Sequence, residues 1–324
     1  MTNILVIKEQ IIKYYARFEI YITPVLKFLV MLISLIAINA NVGYMTKLKN
    51  PAIVLIIALL SSFLPVNVMI VLAALVIVAH MYALSMSCAA VVGLVFLIMF
   101  VLYFRFTPKE AIAVLITPIC FVLKIPYLVP LAMGFLGGPL SCISVACGTI
   151  AFYIMHNVKK SSEQMGGGEG VENALTGFRY VIDTIIKDRT MILLTIAFCI
   201  TIVVVYLIRR LRVNYSWYIA LGFGAVVNIL VILIGAVSTD ADVSAIGVIF
   251  GTIISAGLVL VLQFFIHNLD YSRTEYVQFE DDEYYYYVKA IPKISMEAPQ
   301  NKVRRINPQQ TPLASRRNHS IDDE

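Results

Sequence analysis

The sequence predicts an all-α membrane protein, a polytopic helical bundle of about ten transmembrane spans with broken or re-entrant helices in its middle. Three observations carry this. The 324-residue chain is 60% hydrophobic and only 14% charged, against about 45–50% and about 25% in soluble domains. From Pro51 to Phe104 there is no Asp, Glu, Lys or Arg, a run more than twice the about 20 residues that one crossing needs. Finally, KIPYLVPLAMGFLGGPLS (124–141) concentrates proline and glycine, which remove backbone donors and weaken a helix inside an apolar stretch.

In chain order, residues 1–23 mix Lys8, Glu9, Lys13, Arg17 and Glu19 among apolar positions. They read as a cytoplasmic or interfacial N-terminus, without the basic-then-apolar order of a cleavable leader. Residues 24–157 form a first transmembrane region with expected spans Pro24–Ala40, Pro51–Leu64, Asn67–Leu84, Ser87–Phe104, Ala111–Leu123, Pro126–Gly137 and Pro139–His156. Sliding this region by 59 residues lays Ala52-Ile53 on Ala111-Ile112, Leu72-Ala73 on Leu131-Ala132 and Cys88 on Cys147. A unit of three spans would be inverted in its second copy, as in many transporters; biased apolar composition explains the same matches equally well.

Residues 158–190 are the sizeable polar connection. KKSSEQMGGGEG is linker-like, and Val171, Leu175, Phe178, Ile182 and Ile185 then share one helical face, as in a helix lying on the extracytoplasmic surface. Residues 191–267 hold three more spans, Met191–Ile208, Trp217–Ala236 and Val243–His267. Residues 268–324 form a polar tail. Within it, EYVQF and YYYYVKA favour strands and EDDE favours a turn, so a β-hairpin over 275–290 is expected, followed by a basic, proline-containing segment suited to disorder and to anionic lipid.

Basic residues set the expected orientation. Arg209, Arg210 and Arg212 lie inside, the loop with Asp240 and Asp242 outside, and both termini in the cytoplasm of a cell whose plasma membrane holds the chain. Lys47, Lys49, Lys159 and Lys160 then fall outside, against the rule. The five cysteines all lie in apolar runs and read as buried structural thiols.

Polar groups within or beside spans are expensive in lipid and mark candidate sites. Asn67, His80, Lys124 and Asn228 are the candidates for a solute path. Each has a plainer reading: interfacial placement for His80, snorkelling for Lys124, and cross-helix hydrogen bonding for the two asparagines. Gly247, Gly251 and Ser255, and likewise Ala220 and Gly224 with Asn228, recur every four residues and are candidates for close helix packing. In the tail, Glu280, Asp281, Asp282, Glu283, Tyr284, Tyr285, Tyr286 and Tyr287 are candidates for docking a cytoplasmic protein.

No zincin, nucleophile-elbow or P-loop motif is present. The chain is therefore expected to be non-enzymatic, without cofactor or metal and without a nucleic-acid partner. Its expected partners are the lipid bilayer, a cytoplasmic protein at the tail, and a second copy of the chain.

YYARFEIYITPVLKF near the start and DYSRTEYVQFEDDEYYYYVKAIPK near the end resemble an uncharacterised family of multi-pass membrane proteins of Gram-positive anaerobic bacteria. The resemblance spans most of the chain, and its members are sometimes labelled transporter permeases. It implies a membrane component of transport, although the Glu-Ala-Ala loop by which importers engage an ATPase is not visible. Two functions are expected from the sequence: a transporter or permease component for a small solute, or a non-catalytic membrane scaffold that recruits partners through its tyrosine tail.

Overall fold

The structure is a computed structural model that describes residues 2–165, 183, 187–211, 213, 215–266, 275–280 and 285–290. Its helices are α1 (Thr2–Val42), α2 (Thr46–Lys49), α3 (Pro51–Ser62), α4 (Val66–Leu84), α5 (Met86–Phe106), α6 (Ala111–Val122), α7 (Leu128–Leu136), α8 (Ser141–Met165), α9 (Arg189–Arg209), α10 (Ser216–Thr239) and α11 (Ala245–Ile266), with a 3-10 turn at Pro108–Glu110 before α6. Seven are long and apolar enough to cross a membrane: α1 from Gln10, α4, α5, α8 to Lys159, α9, α10 and α11. This is the all-α membrane architecture expected from composition.

The remaining three of the ten expected spans are short. α3 and α6 have 12 residues each and α7 has nine, so they rise about 18, 18 and 14 Å against a hydrocarbon core of about 30 Å. Two expected boundaries also move. The first helix begins at Thr2 rather than Pro24, because the mixed residues 2–23 still favour helix. Its dihedrals break at Phe18 (φ −112°, ψ 17°), and Pro24 lies inside it, where the ring crowds the carbonyl one turn back. At its other end, α8 continues through KKSSEQM to Met165, into the expected linker. The expected surface helix lies outside the described residues apart from Asp183 and Lys187, which pair at 2.7 Å.

Local signals set the helix ends. Asn50 caps α3 by accepting from the Ala52 N–H, with Pro51 at the first helical position. Asp188 caps α9 through the Met191 N–H, and its second oxygen accepts from Asn157 of α8 at 2.6 Å. α6 ends in a Schellman turn: Ile125 N–H reaches Cys120 O and Lys124 N–H reaches Phe121 O. Lys124 takes the left-handed position (φ 61°) that glycine usually fills.

Cross-links define two ends of the bundle. At one, which we call the Asp188 end, Asn157 meets Asp188, Arg189 meets Thr239 O and Asp240, and Met45 N–H meets His80. At the other, the Arg209 end, Tyr103 meets Asn67 and Pro108 O, Glu110 meets Ser141, and Arg209 meets Gly137 O. Lys8 Nζ lies 5.2 Å from the Phe264 ring centre near the close of α11, within cation–π range. α1 and α11 therefore have these termini at the same end.

The core falls into two large clusters and a smaller third one around Leu131, Phe135, Val205 and Ala220. Of the large ones, one contains Met31, Leu35, Met69, Val92 and Ile154 from α1, α4, α5 and α8. The other contains Val145, Phe198, Ile202, Ile232 and Val248 from α8, α9, α10 and α11. α6 contributes to both, with Leu115 in the first and Cys120 in the second. Cys88, Cys120 and Cys147 are buried, Cys142 and Cys199 half-buried, and all five are free thiols.

The described residues of the C-terminal segment belong to a second unit. Its described part is an antiparallel hairpin of β1 (Glu275–Glu280) and β2 (Tyr285–Ala290), with Glu275 opposite Ala290 and Glu280 opposite Tyr285.

Candidate functional site

α6 and α7 form the part of the bundle that most departs from full-length crossings. α6 leaves the Arg209 end at Glu110, reverses at Lys124, and α7 returns to Gly137, where an added Cβ would stand 3.1 Å from Glu110 Oε1. The hairpin thus begins and ends at neighbouring points. Small residues seat it. A Cβ on Gly148 of α8 would meet Thr117 Cβ at 2.6 Å, one on Gly134 would meet Val205 Cβ of α9 at 2.8 Å, and one on Gly251 of α11 would meet the Tyr127 ring at 2.8 Å. Aromatic contacts close the tip: Phe121 stacks on Phe152 at 4.6 Å, and Tyr127 meets Phe198 edge-on.

The foot of the hairpin is polar. Ser141 Oγ donates to Glu110 Oε1 at 2.8 Å and accepts from the Gly138 N–H at 3.0 Å. Ser144 and Thr107 hydroxyls bond at 2.8 Å. Glu110 Oε2 is buried without a hydrogen-bond partner among the described residues. Sequence reading overlooked this carboxylate because Glu110 lies just outside the expected spans.

The candidate solute-path residues do not converge. Asn67 accepts from Tyr103 Oη at 2.7 Å near the Arg209 end. His80 is fully buried near the Asp188 end; its Nδ1 accepts from Met45 N–H at 3.1 Å, so the ring proton sits on Nε2, which has no partner among the described residues. Lys124 is exposed at the hairpin tip. Asn228 is fully buried, taking a hydrogen bond from Thr201 of α9 at 3.2 Å and giving one to Thr252 of α11 at 3.1 Å. It is a cross-helix pin.

The small-residue stripes divide. Gly224 packs against Val205 and Leu131, and Gly251 against Tyr127, so both face α7 and α9 or the hairpin tip. Ala220 and Ser255 are buried, whereas Gly247 is exposed. Of the tail candidates, Tyr285 and Tyr287 are 69% and 75% exposed on β2 and Tyr286 is 38% exposed. Glu280 pairs with Tyr285 across the hairpin; Asp281, Asp282, Glu283 and Tyr284 lie outside the described residues.

A cleft of about 60 Å³ opens between α1, α4, α5, α6 and α8. Its walls include Ile38, Ala74, Ile77, Phe100 and Pro118, and its one polar liner, Ser34, is bonded to Val30 O of its own helix. Among the described residues no group of His, Cys, Asp and Glu is arranged to hold a metal. No protein-family profile, curated protein or solved structure matches the chain.

Proposed function

We propose that this chain is the membrane-embedded component of a transport system for a small solute, with α6–α7 as a re-entrant hairpin in its centre. The observation that carries the reading is the juxtaposition of Glu110 and Gly137 at the two feet of a pair of helices too short to span alone. Interrupted backbone at membrane depth is tolerated where protein or a cavity surrounds it, and transporters build their sites from such discontinuous helices. On this reading the ten apolar segments are seven full crossings, one short crossing at α3 and the hairpin pair. The resemblance of the two terminal stretches to permease-labelled proteins supports the same reading. Arg105, Lys109, Arg209 and Arg210 lie toward the Arg209 end, which favours that end as cytoplasmic, with both termini there and the plasma membrane as host.

Cysteine accessibility tests it. In a cysteine-free background, Thr117→Cys, Lys124→Cys and Gly134→Cys are treated with a membrane-impermeant maleimide in sealed vesicles. Transport requires water to reach the hairpin, so Thr117→Cys or Gly134→Cys should be labelled. If neither reacts while Ser238→Cys does, the transport reading is wrong.

A second reading, a scaffold without transport, is favoured by β2. Its described tyrosines are exposed, and among the described residues both strands are edges available for strand addition. It requires that deleting 275–324 remove a co-purifying partner; an unchanged partner set rejects it.

A further inference from the structure

We infer that His80 is the catch of an acid-released latch: one added proton on its ring frees the connector between α1 and α3 at the Asp188 end. The latch goes beyond the transport reading and does not depend on it.

The connector, residues 43–50, contains the short helix α2. Two side chains hold its backbone to the bundle. Asn39 of α1 donates to Leu48 O at 3.2 Å, and His80 of α4 accepts from the Met45 N–H at 3.1 Å. The connector's own bonds are local turns, such as Lys49 N–H to Met45 O and Asn50 N–H to Lys47 O. Of the two holds, only the histidine changes charge near neutral pH.

That hold works in one protonation state. An imidazole nitrogen accepts a hydrogen bond only while it carries no proton itself. A proton added at Nδ1 turns the acceptor into a donor that faces the Met45 N–H, so two donors oppose each other. It also puts a full charge on a ring that is completely buried, which is costly unless the charge is paired and hydrogen-bonded.

The surroundings supply no such pairing. Nε2 has no partner, and no ion pair involves His80, among the described residues. α1 has no ionisable residue from Phe28 to its end, the other ionisable residue of α4 is Tyr82, and α6 offers only Cys120. On α5 the Cys88 thiol meets Met81 at 3.8 Å. On α8, His156 stacks on Phe152. Asp188, a carboxylate of this end, is committed to Asn157 and the Met191 N–H. The remaining charges are cations: Lys47 and Lys49 on the connector, and Lys159, whose ammonium donates to Ala40 O at 3.2 Å. The connector is therefore pinned while His80 is neutral, at high pH. As pH falls the pin is lost, and Asn39 alone holds the segment.

Acrylamide quenching tests this in the full-length protein in vesicles, since acrylamide is uncharged at every pH. Trp217 is the only tryptophan, so Trp217→Phe removes the background. Tyr44→Trp then reports from the connector, where Tyr44 packs against the core cluster around Met31 and Leu35. Tyr82→Trp, at a position 65% exposed on α4, is the control. From pH 8 to about pH 5, quenching at Tyr44→Trp should rise roughly twofold or more, with no change at Tyr82→Trp. His80→Asn sets an amide oxygen near the place of Nδ1 and does not titrate, so quenching should stay at its pH 8 level throughout. His80→Gln reaches toward the place of Nε2 instead, leaves the Met45 N–H without its acceptor, and should be strongly quenched at every pH. His156→Gln should leave the rise intact. A flat response at Tyr44→Trp with His80 present overturns the inference. So does an unaltered rise in His80→Asn, a His80→Gln protein as protected as His80→Asn, or loss of the rise in His156→Gln.

Discussion

At the residue scale, polar groups in this bundle are used as pins. Asn228 spends its amide on Thr201 and Thr252, joining α9, α10 and α11 at one level. Hydrogen bonds between membrane helices average about 0.6 kcal/mol and reach about 1.7 kcal/mol. Asn228→Val should therefore lower resistance to denaturation in micelles by roughly 1 kcal/mol, with no effect on insertion. Lys124 is the opposite case, a residue held in a conformation that costs an L-amino acid about 1–2 kcal/mol. Lys124→Gly relieves that cost but gives the unfolded chain more freedom, so a net gain of about 0.5–1 kcal/mol is expected from the same assay. A loss of stability instead would mean that the lysine side chain anchors the tip. Neither role was legible from residue type, since a lone asparagine or lysine in an apolar run also suits a solute path.

At the scale of elements, the α6–α7 hairpin depends on glycines where helices nearly touch. Gly148 faces Thr117, and Gly134 faces Val205 and the Ile202 carbonyl. Inserting bulk into such seams costs about 1–3 kcal/mol. Gly148→Leu should destabilise the bundle within that range, whereas Gly222→Leu, which meets open space, should change stability by less than about 0.5 kcal/mol. Equal effects at both positions would mean that α6 does not pack against α8 as described. The breaks themselves were readable, because Pro126, Pro130, Pro139 and the glycine pair Gly137-Gly138 act locally. That both feet of the hairpin meet at one point was not, since Glu110 and Gly137 are distant in sequence and no local preference joins them. The strand-forming character of EYVQF and of the tyrosine run is likewise local, and β1 and β2 occupy those stretches.

For the whole molecule, the arrangement of ends makes a sharp prediction. Lys159, Asp188 and Asp240 belong to one end of the bundle, and Lys109 and Arg210 to the other. In sealed vesicles, cysteines placed at Lys159 and Asp240 should react from one side, and cysteines at Lys109 and Arg210 only from the other. Labelling of Lys109→Cys and Asp240→Cys from the same side would refute this arrangement.

The sequence by itself determined that this is a helical membrane protein and, around residues 124–141, where its helices break, but not that α1 and α6 continue through Pro24 and Pro118. Both readings follow from short-range physics: lipid offers no hydrogen bonds, so each apolar run must satisfy its own backbone as a helix, and proline and glycine weaken that helix wherever they fall. Only the tertiary structure decided which faces of those helices meet. In spans that are apolar all round, periodicity does not distinguish a buried face from a lipid-facing one. The pin at Asn228, the carboxylate of Glu110 beside Ser141, and the apolar cleft between α1, α4, α5, α6 and α8 come from residues far apart in the chain, brought together by packing.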